Sequence, residues 1–194
     1  MQKLKREDLY SLEDYARLRA EFRAKVIAHK KNRLVQIGAN ASLAFEDRLT
    51  LQYQVQEMLR VERIFEPEGI RDELDAYNPL IPDGGNWKAT FLLEYPEVEQ
   101  RRAALERLKG VEHRVWVRVS GDEPVYAIAD EDLERSDAIK TSAVHFLRFE
   151  FTPDMARAIK HGADVVVGID HPEYRHETAL PAAVRKALAA DLAD

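Results

Sequence analysis

The run Phe45–Phe65, FEDRLTLQYQVQEMLRVERIF, constrains the fold more than any other stretch of the chain. At about 100° per residue on a helix, Leu51, Val55, Met58, Leu59 and Phe65 share one face. Tyr53, Val61 and Ile64 flank that face, and only Gln52, Gln56, Arg60 and Arg63 form a polar window. A helix apolar around most of its circumference is covered on more than one side, so the chain must wrap other elements around it.

Two carboxylates fall inside that expected cover. Glu62 lies on the apolar face one turn from Met58 and Leu59, and Glu57 lies between Tyr53, Val61 and Ile64. A buried carboxylate needs a cation, a metal or a retained proton. Two readings follow. In one, Arg48, Arg60, Arg63 or an arginine from elsewhere in the chain closes structural ion pairs with the glutamates. In the other, a glutamate lines a ligand pocket and works as acid, base or ligand.

A second helix precedes this run. Ser11 caps it, Glu13 and Asp14 occupy its first turn, and it extends to about Asn32 with a core stripe of Tyr15, Leu18, Phe22 and Val26. The same spacing carries His29 and Arg33 onto the stripe, where they can meet Glu57 or Glu62. A candidate pocket therefore consists of His29, Arg33, Glu57, Arg60 and Glu62, with Arg33 or Arg60 holding an anion. The turn-rich segment YNPLIPDGGNW, apolar between its prolines, is a candidate roof for it.

Strands are read from short runs of β-branched and aromatic residues. Leu34–Ile37 and Ala41–Phe45 are joined by Gly38-Ala39-Asn40; WKATFLLEY precedes a helix opened by Pro96 and ended by Gly110; HRVWVRV turns into VYAIA. The acidic stretch 130–138 reads as a short helix or mobile loop. AVHFLRFEF, the helix PDMARAIKHG capped by Thr152 and the strand ADVVVGI then form a strand, helix, strand unit, and a last helix from about Leu180 carries Val184, Leu188 and Leu192 on one side. The expected fold is α+β, a single domain over residues 1–194 with a mainly antiparallel sheet of about five to seven strands and helices packed on it.

DHPEYRHE gathers Asp170, His171, Glu173, His176 and Glu177. His171 and His176 are candidate ligands for zinc, manganese or ferrous iron, although Pro172 implies a turn and the spacing fits no helical two-histidine motif.

Composition removes several classes of chemistry. With no cysteine, disulfides, thiolate catalysis, thiolate zinc sites and cysteine-ligated iron–sulfur clusters are excluded, and a cytoplasmic location is expected. The net charge of −6 argues against general nucleic-acid binding. No apolar run approaches the roughly 18 residues of a membrane span, and MQKLKREDLY lacks the apolar core of a signal peptide. P-loop, dinucleotide-binding, nucleophile-elbow and zincin motifs are absent, which leaves enzymatic activity and any cofactor unassigned.

The runs FEDRLTLQYQVQEMLRVERIF, YNPLIPDGGNWKATFLLEYPE and RRAALERLKGVEHRVWV resemble the bacterial family catalogued as domain of unknown function 3501, over nearly the whole chain. The resemblance implies one compact cytoplasmic domain without an established activity. It also implies gene neighbourhoods that contain rubrerythrin-like and iron–sulfur oxidoreductase proteins, hence an expected accessory or binding role beside a redox-protein partner. A homodimer through an exposed strand or the C-terminal helix is compatible with the sequence.

Overall fold

The structure, a computed structural model, describes residues 2–131 and 140–193. The first helix, α1 (Leu12–Lys30), opens where Ser11 accepts from the Asp14 amide, satisfying one of the donors that a helix start leaves unpaired. The hairpin β1 (Leu34–Ile37) and β2 (Ala41–Phe45) follows, then α2 (Arg48–Glu62) and α3 (Pro67–Tyr77). A 3₁₀ turn, Asn78–Leu80, leads into β3 (Asn86–Leu93). Next come α4 (Val98–Arg107), β4 (Val115–Val119), the two-residue strands β5 (Val125–Tyr126) and β6 (Ile128–Ala129), and β7 (Val144–Glu150). The chain continues through α5 (Pro153–Lys160), β8 (Val165–His171), β9 (Tyr174–Ala179) and α6 (Ala182–Ala189). The expected acidic element at 130–138 lies, from residue 132 onward, outside the described residues.

The fold is α+β, and its strands divide into two antiparallel sheets, β1-β2-β3-β7-β6 and β5-β4-β8-β9. Residues 125–129 pass from one sheet to the other: β5 pairs with β4, the Ala127 amide donates to Val115, and β6 pairs with β7. At the opposite edges, Tyr174 and Thr178 of β9 donate their hydroxyls to the carbonyls of Ile37 and Gln36 in β1, at 2.7 and 3.0 Å. Gly38 (φ 69°) makes this approach feasible, because a Cβ there would lie 2.6 Å from the Tyr174 hydroxyl. The sheets thus form a flattened barrel joined along both edges. The helix of the expected strand, helix, strand unit carries the chain from the first sheet into the second.

Alternation fills the space between the sheets. Val35, Leu43, Trp87, Phe91 and Phe149 from one sheet meet Val117, Val167 and Ile169 from the other in a continuous core. Trp87 is fully buried and donates its indole N–H to the Leu188 carbonyl at 2.9 Å, anchoring α6. The same alternation turns Lys88 and Thr90 of β3, and Phe146 and Arg148 of β7, to the outer face of the first sheet.

Helices α1 to α3 build separate small cores. Leu51, Val55 and Leu59 of α2 pack with Ile70, Leu74, Ile81 and the N-terminal Leu4 and Leu9. Tyr15, Phe22 and Val26 of α1 form another cluster, while Leu18 of the expected stripe is exposed. Among the described residues, no helix is long and apolar enough to cross a membrane.

Candidate functional site

Asp47 caps α2 by accepting from the Thr50 amide at 2.9 Å, and the helix buries Leu51, Val55 and Leu59 as its periodicity requires. Glu57 is half-buried. Arg19 grips it with two hydrogen bonds, 2.8 and 2.9 Å, while Tyr15 donates at 2.7 Å and Arg60 at 3.3 Å. Arg19, then the Tyr15 hydroxyl and Arg60, hold its carboxyl down at about 2 against the opposing effect of burial. Burial, and then the bond to this carboxylate, raises the Tyr15 hydroxyl well above its usual range. Glu57 is therefore a paired anion.

Glu62 corrects the expected burial: it is exposed, as are Val61 and Phe65. The helix ends at Glu62, and Arg63 takes a left-handed conformation (φ 56°) that turns the chain away. Helical spacing thus ran past the last turn that has a packing partner. The buried polar side chain is instead Gln56, from the expected polar window; its side chain accepts from the Tyr10 amide at 2.6 Å and donates weakly to the Tyr10 carbonyl at 3.5 Å.

His29 and Arg33 do converge on carboxylates, but on Asp47 and Asp191 rather than Glu57 and Glu62. His29 Nε2 lies 2.5 Å from Asp47 Oδ2, and Arg33 Nη1 lies 3.3 Å from the same oxygen. Arg33 also donates to the carbonyls of Phe45 and Glu46, both at 3.0 Å, and to the Asp191 carboxylate. Burial pushes the Asp191 carboxyl up to about 6, with Arg33 pulling it back. This network fastens the end of α1, the cap of α2 and the C-terminal segment together. In the sequence Asp47 is marked only as the residue before the helix, and Asp191 carries no pattern signal.

The candidate metal ligands separate. His171 Nε2 faces the Lys109 carbonyl at 3.1 Å and its Nδ1 accepts from the Glu173 amide at 3.2 Å, so both ring nitrogens are engaged. His176 stands exposed on β9 with its ring edge against Tyr174. The expected loop is a hairpin that sets His176 opposite Ile169, away from the turn that holds His171. Among the described residues, no three ligand-type side chains gather to hold a metal ion.

A buried row absent from the sequence reading joins Asp130, His145, Thr141 and Glu112. His145 Nδ1 lies 2.5 Å from Asp130 and Nε2 lies 2.8 Å from the Thr141 hydroxyl, which donates to Glu112 at 2.9 Å. The connectivity is that of an acid, imidazole and hydroxyl relay. His145 and Thr141 are sealed from solvent, however, and the hydroxyl proton is directed at Glu112, so the row suits a structural clamp better than a nucleophile.

A cavity of about 260 Å³ opens on the outer face of the first sheet. Lys88, Phe146 and Arg148 form its floor, Glu46 and Glu131 lie at its sides, and Pro79 and Leu80 form a rim above. The candidate roof segment thus does lie over a cavity, but none of His29, Arg33, Glu57, Arg60 or Glu62 lines it. The rim is tied down by lysines. Lys3 donates to the carbonyls of Asn78 and Ile81 at 2.6 and 3.1 Å, and Lys88 donates to the Pro79 carbonyl at 2.5 Å. Burial, then repulsion from Lys3, holds the Lys88 ammonium below the usual lysine range, with Asp83 opposing and Arg148 adding to the repulsion.

Comparison with known proteins adds a relationship without a chemistry. The family model described as "Protein of unknown function (DUF3501)" matches residues 3–192. A novel protein of unknown function from Burkholderia pseudomallei K96243, known from a crystal structure at 1.90 Å resolution, is 53% identical. The match covers 99% of this chain and 100% of that one, with a TM-score of 0.94. No curated protein matches the chain.

Proposed function

Because the chain belongs to the family of proteins of unknown function DUF3501, whose description assigns no chemistry, we propose from the geometry that it is a small-ligand-binding protein working through the cavity beneath Pro79 and Leu80. One observation carries this reading. A half-buried lysine lies on the floor of a largely apolar concavity between a sheet face and a chain segment tied above it, the usual composition of a ligand site being apolar walls with few polar groups. The accessory role beside a redox partner agrees with it. A chain without thiols serves such a system by binding rather than by carrying a cysteine-ligated cluster.

The test is a fragment screen followed by amide NMR shifts on the full chain. Shifts clustering at Leu80, Lys88, Ala89 and residues 146–148 are expected. Fragments that bind only elsewhere would overturn the reading. For the redox role, affinity capture from native cells should enrich a redox protein above background, and repeated failure to do so counts against it.

A further inference from the structure

We infer that the cavity selects a small carboxylate with an apolar body, and that Lys88 is the side chain that holds the carboxylate. The inference rests on the ligand-site reading above and names the ligand class.

The strand register creates the charge pattern. The Glu46 amide donates to the Lys88 carbonyl at 2.8 Å, and Lys88 pairs directly with Arg148. Glu46, just past the end of β2, therefore forms one row with Lys88 and Arg148 on β3 and β7, one anion followed by two adjacent cations. Like charges directly opposite on antiparallel strands repel, so an anion beside each cation is favoured.

Arg148 is answered. Glu131 accepts two of its hydrogen bonds, at 2.8 and 2.9 Å, and Glu150 accepts a third. Lys88 has no such contact, though Asp83 and Glu131 attract it from a distance. Its neighbour Glu46 accepts from the hydroxyls of Thr50 and Thr90, at 2.5 and 2.7 Å. Asp83 accepts from the Gly85 amide at 2.9 Å. Among the described residues, the Lys88 ammonium has one hydrogen-bond partner, the neutral Pro79 carbonyl, and no carboxylate in contact. An ammonium has three donors, so two remain for a ligand.

The geometry also discriminates among anions. Phosphate sites converge several donors, an arginine fork or a lysine backed by backbone amides, and among the described residues the one guanidinium in the lining is already held by Glu131. A single ammonium with two open donors suits a singly charged carboxylate. Pro79, Leu80 and Phe146 supply apolar walls. A volume of about 260 Å³ lies just below the usual range of ligand cavities, roughly 300–1,000 Å³, and so fits an acid built on about one ring.

Calorimetric titration with benzoate, benzyl alcohol and inorganic phosphate tests the assignment. Benzoate should bind at least about tenfold more tightly than benzyl alcohol, the gain of one charge-assisted contact, and phosphate should show no saturable binding. Lys88→Met should remove that preference, lowering benzoate affinity by about tenfold more than benzyl alcohol affinity; Lys88→Arg should keep it. Benzoate affinity should fall as pH rises, beginning below the range where an ordinary lysine deprotonates. The charged groups facing Lys88 are Lys3, Asp83, Glu46, Glu131 and Arg148, and loss of the pH dependence in Lys88→Arg assigns the titration to Lys88 rather than Lys3.

Equal affinity for benzoate and benzyl alcohol in the unaltered protein would overturn the inference without needing any variant. Missing benzoate binding while fragments still shift the cavity residues would overturn the carboxylate assignment alone. Missing both would overturn the ligand-site reading as well.

Discussion

Replacing Arg33 by Met keeps the aliphatic stem and removes every donor from a guanidinium that is 2% exposed. Asp47 retains His29 and the Thr50 amide, so the carboxylate left without its cation is Asp191, itself 4% exposed. Breaking one side of a buried ion pair costs about 3–5 kcal/mol. The loss should depend on pH, because the Asp191 carboxyl titrates at about 6 in the folded chain against an ordinary 3.8. A carboxyl raised by folding holds its proton more tightly in the native state, so native stability falls as pH rises from about 4 to about 6. At about 1.36 kcal/mol per pH unit this decline is on the order of 3 kcal/mol. Without Arg33 the carboxyl rises further and the decline extends to higher pH. Urea unfolding followed by the buried Trp87 and Trp116 should therefore show a loss of about 1–2 kcal/mol near pH 4.5, from the stranded carbonyls. The loss should reach about 3–5 kcal/mol near pH 7.5. Arg33→Met combined with Asp191→Leu should recover most of the difference at the higher pH. A loss that is the same at both pH values, or below about 1 kcal/mol at the higher one, would refute the claim that Arg33 compensates Asp191.

Four further changes probe other parts of the molecule. Glu57→Gln should cost about 1 kcal/mol in urea unfolding, limited by screening at a partly open site. Because its folded pKa is depressed to about 2, that contribution is complete above about pH 4.5 and disappears as pH falls toward 2. Glu62→Ala should change stability by less than about 0.5 kcal/mol, as suits an exposed side chain past the last packed turn. Gly168→Ala should lower the thermal midpoint through a loss of about 1–3 kcal/mol, since a Cβ at 168 would run into the Trp116 ring on the neighbouring strand. His145→Ala should cost about 2–4 kcal/mol in the same melts, by opening a cavity beside Asp130 and Thr141.

Local rules account for most of the fold. Ser11 before Leu12-Glu13-Asp14 marked the start of α1, and alternation assigned Val115, Val117 and Val119 to one face, now buried between the sheets. Those rules fail where tertiary packing decides. Strand β9 was read as a ligand-rich loop because five of its six residues face outward or stand half-exposed and show no apolar alternation; its strand character comes from pairing with β8 and from two hydroxyls reaching β1. Division into two sheets was equally hidden, since it depends on residues 125–129 changing partners in mid-strand.

The candidate site was obscured for a related reason. Helical spacing can put a carboxylate among apolar residues, as it did for Glu57, but the unmatched charge at Lys88 exists only through the register of three strands and the competing bonds of Thr50 and Thr90. Neither is a property of any one stretch of sequence. The lysine's contact with Pro79 supplies an alternative in which Lys88, like Lys3, merely ties segment 78–81 to the sheet. The two roles differ in consequence. If both lysines only tie the segment, Lys3→Met and Lys88→Met should raise amide exchange at Leu80 and Ile81 alike and should both weaken benzoate and benzyl alcohol equally. If Lys88 also holds the carboxylate, Lys3→Met weakens both probes together, whereas Lys88→Met separates benzoate from benzyl alcohol, because only the first carries the charge that the second lysine answers.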